Sequence, residues 1–154
     1  MRAERAAALA RALVADARAS GQRRALRVAG TVDETREMAA AALAAAGIAD
    51  ALWVGDAPDG ARQVAPGRAR AVLGQEAGAV VFDLHGGIDP DAIGAASGVV
   101  AGGGLWILRS PAGLWGGGCG DRARLAMHPH GADAVGERFP ALFAAAWAGV
   151  PVAG

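Results

Sequence analysis

Three short stretches hold the side chains that could do chemistry. FDLHGGIDPD at 82–91 sets Asp83, His85, Asp89 and Asp91 around two glycines, TVDET at 31–35 supplies Asp33 and Glu34, and MHPHG at 127–131 carries His128 and His130. An aspartate that ends an apolar run, near a second acidic pair, suits the Mg²⁺-binding acid cluster of a phospho-acceptor receiver domain. That chemistry also wants a lysine to neutralise the phosphoryl group, and the chain has none: all fifteen basic residues are arginine. The better reading of Asp83 is a strand-terminal carboxylate that caps the loop after it.

The other candidates weaken on the same kind of test. His85, Asp89 and Asp91 lie in one loop with no second cluster to close a coordination sphere, so Asp89 and Asp91 read as the cap and first-turn acid of a helix. His128 and His130 flank a proline in a loop, which suits adventitious metal contact better than a site. Cys119 has no basic neighbour nearer than Arg122 and no nucleophile motif, so it is read as non-catalytic. As the one cysteine it cannot form an internal disulfide, which fits a reducing cytoplasm.

A P-loop ATPase is excluded more firmly. The loop after the first predicted strand, VAGTVDET, has a single glycine and two acids that repel phosphate, and no G-x-x-x-x-G-K-[ST] pattern occurs. Glycine runs at 101–104 and 116–120 precede a strand or fall in a tail loop. Fifteen acids balance fifteen bases, so no global field draws the chain to nucleic acid or an anionic membrane. Arg23 and Arg24, with Arg27, Arg68 and Arg70, offer a local patch for RNA phosphates. Charge that merely solubilises a helix–strand joint explains them at least as well.

These residues must be positioned by the elements around them. Residues 2–19 have helix formers with Leu9, Leu13 and Val14 on one face; the next strand is RRALRVAG, and a helix capped by Thr31 runs to Gly47. ADALWVG reads as strand two, APGRARAVLGQEAG as a short helix, and AVVFDL as strand three, an apolar run of the kind buried on both faces. DPDAIGAASGVVAGG reads as a glycine-weakened helix and GLWILRS as strand four. From Asp133 the tail regains helical spacing through Phe139, Leu142, Phe143 and Trp147. Strands alternating with helices imply a parallel sheet wrapped by helices. Trp53, Trp106 and Trp147 sit in apolar contexts and read as core, with Trp115 the exception. The N-terminus lacks a signal-peptide h-region and no window reaches membrane-spanning length, so a cytoplasmic protein is expected.

Taken in order, LWVG, VLGQE, VVFDLHGGIDPDAIGAASGVVAGG, LWILRSP and GERFPALF resemble the N-terminal domain of the bacterial tRNA(Met) cytidine acetyltransferase family, over about residues 23–147. Ile88 stands where that family commonly has phenylalanine. The resemblance implies a single α/β domain, a three-layer Rossmann-like parallel sheet of four to five strands. Its parts would be a helix over 1–22, a core over 23–110, and a glycine-rich loop with a final helix over 111–154. It also implies an accessory module, inactive alone, of an enzyme that acetylates N4 of the wobble cytidine in elongator tRNA(Met). ATP, Mg²⁺ and acetyl-CoA would then be held by downstream helicase-like and acetyltransferase domains, and no catalytic, cofactor or metal residue is expected in this chain. Arg23, Arg24, Asp83 and His85 are the residues expected to touch RNA or a neighbouring domain. The competing expectations are a stand-alone small-ligand or Mg²⁺-binding protein using the Asp83 loop, and a stand-alone RNA-binding protein.

Overall fold

Helix α1 (Arg2–Ser20) lays a seam of small residues, Ala6, Ala10, Val14 and Ala17, against the rest of the protein, with Leu9 and Leu13 half-buried beside it. The face is thus rotated from the expected Leu9–Leu13–Val14 stripe, because alanines let the helix approach closely. The computed structural model describes residues 1–113 and 122–154. After α1 come β1 (Arg24–Ala29), α2 (Val32–Ala45), β2 (Ala51–Val54), β3 (Gln63–Val64), a 3₁₀ turn at Pro66–Val72, β4 (Ala77–Asp83), α3 (Pro90–Ser97) and β5 (Val100–Ser110). The chain closes with α4 (Arg122–Leu125), a 3₁₀ turn at Ala132–Ala134, α5 (Arg138–Trp147) and β6 (Val152–Ala153).

All strand pairs are parallel, in the order β3-β2-β4-β5-β1-β6. The fold is the expected α/β sandwich, with a sheet of six strands rather than four or five. The two additional strands, β3 and β6, are two residues long and lie at the edges. Alternation along the inner strands sends side chains to two cores. On one face Leu26, Val28, Val81, Leu105 and Ile107 meet α1 and α2; on the other Val80, Phe82 and Leu108 meet α3, the first 3₁₀ turn and Phe143 of α5. Each such side chain, fully buried, contributes about 1.5–3 kcal/mol.

The stretch 100–104 departs from expectation. Residues 100–103 read as the frayed end of a helix and Gly104 as the start of a strand, yet β5 starts at Val100 and runs through the glycines. The β4–β5 register is irregular between Ala77 and Ala79, and a Cβ on Gly104 would lie 2.7 Å from the Gly78 carbonyl oxygen. The glycines serve a close approach of two backbones, which no local propensity reports.

Candidate functional site at the carboxyl edge of the sheet

In parallel α/β sheets the loops beyond the carboxyl ends of the strands carry function. Here that edge gathers Asp56 after β2, Asp83 and His85 after β4, Arg109 near the end of β5, and Thr31–Arg36 at the start of α2.

Arg109 organises the group. Its side chain is fully buried, and the guanidinium donates to Val32 O at 2.8 Å, to Asp56 Oδ2 at 2.9 Å, to the Asp56 carbonyl and, at 3.3 Å, to Thr35 Oγ1. It also lies 5.7 Å from the Trp53 ring centroid. Asp56 accepts two further bonds from Arg36 Nη1, at 2.9 and 2.8 Å, and Arg36 in turn pairs with Asp33. Burial, the largest influence on Asp56, works to raise its pKa, but the hydrogen bonds and charges of Arg109 and Arg36 outweigh it and the carboxyl titrates below its ordinary range. Hydrogen bonding to Asp56 raises Arg36 above its usual value.

The N-terminus of α2, where an anion would bind, is occupied from within. Thr31 and Glu34 form a capping box: Glu34 N donates to Thr31 Oγ1 at 3.3 Å and Thr31 N donates to Glu34 Oε2 at 2.9 Å. Accepting that backbone N–H lowers the Glu34 pKa. Glu34 also pairs with Arg2 at 3.0 Å. These residues do not fit a nucleotide phosphate, because a carboxylate already holds the place.

Asp83 and His85 form a second unit. Asp83 Oδ1 accepts His85 N at 3.0 Å and lies 2.6 Å from His85 Nδ1; the other ring nitrogen, Nε2, is 3.1 Å from the Gly30 carbonyl oxygen. The ring therefore ties the end of β4 to the end of β1. Among the described residues Asp83 Oδ2 has a single, 3.4 Å contact, from Asp56 N. Gly55, with φ +99°, makes room for this carboxylate, since a Cβ there would stand 2.7 Å from Asp83 Cβ. Asp83 thus caps its loop, as its position suggested.

The remaining candidates are dispersed. Arg23 and Arg24 lie at the opposite, amino edge of the sheet. Arg24 is held by Asp16, by Gln22 Oε1 at 3.0 Å and by Ser20 Oγ at 3.2 Å, whereas Arg23 is exposed. Arg27 is half-buried, and burial lowers its pKa. Arg70 pairs with Asp91 at 3.1 Å. Asp89 accepts Ala92 N at 3.0 Å and is the predicted cap of α3. Asp33 pairs with Arg36, and Glu34 with Arg2 and the Thr31 backbone. His130 lines a surface cavity with Leu125 and Met127. Cys119 and Trp115 lie outside the described residues. Among the described residues no group of three or more His, Cys, Asp or Glu could hold a metal ion, and no helix is long and apolar enough to cross a membrane.

Sequence reasoning missed Arg109, Asp56 and Arg36. The available signal was Arg109 itself, the one charge at the end of an otherwise apolar strand buried on both faces.

Comparison with known proteins adds an independent line. The family model described as tRNA(Met) cytidine acetyltransferase TmcA, N-terminal, matches residues 1–147. The chain is 41% identical over 100 residues to the tRNA(Met) cytidine acetyltransferase TmcA of Nitrosococcus halophilus, covering 64% of this chain and 13% of that protein. It is 43% identical over 106 residues to the protein of the same name from Haloarcula marismortui, covering 67% of this chain and 14% of the relative. The match thus spans a small fraction of the length of these curated relatives.

Proposed function

The chain belongs to the tRNA(Met) cytidine acetyltransferase N-terminal domain family, and from that premise we propose that it works as a non-catalytic, interaction-making module beside the acetyltransferase machinery. The observation that carries this reading is the carboxyl edge of the sheet. Where a nucleotide-binding relative of this fold would leave donors for a ligand, Arg109 and Arg36 are spent on Asp56, Arg109 also on the Val32 carbonyl, and Thr31 and Glu34 on one another. ATP, Mg²⁺ and acetyl-CoA then belong to other domains of the longer protein, and N4-acetylation of the wobble cytidine of tRNA(Met) is the activity of the whole.

Contacts to RNA or to a neighbouring domain are assigned to Arg23, Arg24, Asp83 and His85. Of the two arginines Arg23 is the stronger RNA candidate, because Arg24 is already held by Asp16. Two measurements test the reading. An antibody against the domain should detect an endogenous species several times 15.2 kDa, and the 154-residue chain alone should transfer no acetyl group to tRNA. A native species of 15.2 kDa, or acetyl transfer by the isolated chain, overturns it. Steeply salt-dependent binding of tRNA that falls on Arg23→Ala would favour direct RNA contact.

A further inference from the structure

The carboxyl edge is filled on one side and open on the other. The outgoing connection of β2 leads outward to β3, while that of β4 leads through α3 to β5 on its other side. The two loops therefore diverge, and the crevice between β2 and β4 is the switch point at which open α/β sheets bind ligands. A cavity of about 250 Å³ lies there, bounded by Gly55 after β2 and by the loop that follows Asp83.

Its lining selects a ligand class. Phe82, Ile88 and Pro66 supply apolar surface, and Asp83 and Asp89 supply carboxylates. Asp83 Oδ1 is taken by His85 and Asp89 Oδ1 by Ala92 N, while Asp83 Oδ2 accepts a long, 3.4 Å bond from Asp56 N and keeps acceptor capacity. The second oxygens are the acceptors a ligand would meet. Among the described residues none that lines the cavity is basic, so phosphate or carboxylate would be desolvated beside like charge.

Gly86, which lines the cavity, offers a position at which to test it. It sits in the turn closed by Gly87 N–H donating to Leu84 O, its φ is outside the left-handed region, and a Cβ built on it meets nothing within 4 Å. A side chain introduced there meets open space beside the cavity without a packing clash.

We infer that this cavity binds one small, unphosphorylated, hydrogen-bond-donating molecule of nucleoside size, its hydroxyl or amino groups donating to Asp83 and Asp89. The assignment stands on the pocket and is independent of the family reading, which guides only the choice of cytidine as a probe. The experiment is titration of the isotope-labelled 154-residue chain with cytidine and adenosine, followed by amide resonances. At least one of them is expected to shift Gly55, Gly86 and Gly87 at millimolar concentration or below. CMP and a short oligocytidylate should bind at least about tenfold more weakly. Gly86→Leu should abolish the shifts with melting unchanged, and Gly86→Ala serves if the larger side chain disturbs the turn.

Absence of shifts with both nucleosides overturns the inference, as do equal or tighter binding of CMP and shifts that persist in Gly86→Leu. The same amides responding to Mg²⁺ alone, at lower concentration than to either nucleoside, would make the cavity a cation site and overturn it too. None of these results bears on whether the longer protein acetylates tRNA, so the two readings fail separately.

Discussion

Replacing Arg109 tests whether the carboxyl edge is a structural unit. Arg109→Met keeps most of the buried stem and removes the guanidinium. The side chain is fully buried, so no water replaces the lost donors. Two of its acceptors, Val32 O and Asp56 O, are backbone carbonyls that no second substitution can remove. Leaving a buried acceptor unsatisfied costs about 1–3 kcal/mol; both bonds are part-buried, so at about 1–2 kcal/mol each the two carbonyls predict a loss of about 2–4 kcal/mol. Asp56 is less exposed to this loss, because it keeps Arg36 and its side chain is 35% accessible.

The reverse substitution is more severe in kind. Asp56→Asn leaves a fully buried cation on neutral partners; with Asp56 35% accessible, the cost should fall below the about 3–5 kcal/mol of a pair buried on both sides. The double variant relieves that stranding, so it should be less destabilised than the sum of the singles by about 1–3 kcal/mol. Urea unfolding followed by circular dichroism gives all three values, and each single variant should melt about 5–15 °C lower. A loss below about 1 kcal/mol for Arg109→Met, or additive singles, would refute the argument. Either result would mean that the guanidinium reaches water and that its four contacts are incidental.

Other outcomes follow from the same geometry. Gly55→Ala forces φ +99° on an L-residue and pushes a Cβ to within 2.7 Å of Asp83; it should cost about 1–3 kcal/mol, whereas Gly86→Ala should be neutral in the same denaturation assay. Thr31→Ala removes one arm of the capping box and should cost about 1 kcal/mol, read by thermal melting. The pKa of Asp56 is lower folded than unfolded, so its contribution to stability is complete above the unfolded value of about 4 and disappears as pH falls through the lower folded value. Stability should therefore decline steadily below about pH 4–5, and the decline should be shallower in Asp56→Asn.

Much of this arrangement was legible in the residues and some was not, for identifiable reasons. AVVFD could be read as a doubly buried strand because its run is apolar on both faces, and Asp89-Pro90 as a helix start because cap and proline act locally. Asp83 could be read as a loop cap for the same reason. The His85 bond to Gly30 O joins residues of two different strand ends, so no local pattern announces it. Arg109 looked like an ordinary strand terminus; its burial depends on carbonyls of α2 and of the loop after β2, which topology alone brings together. The two-residue strands β3 and β6 are too short to show a period, and residues 100–103 read as the end of a weak helix because the role of the adjoining Gly104 is set by the neighbouring backbone.

The strand order also governs how the chain is made. β1 lies inside the sheet, and its partners are β5 and β6. Arg24 thus waits for Leu105, which leaves the ribosome about 80 residues and several seconds later at ordinary synthesis rates. Until then the apolar face of Leu26 and Val28 can be covered only by α1 and α2, the helices made just before and after it. The alanine seam between those helices is consequently available to shelter the first strand during synthesis. Substitutions that loosen it, such as Ala10→Ser, should lower soluble yield more than they lower the melting temperature of the finished domain.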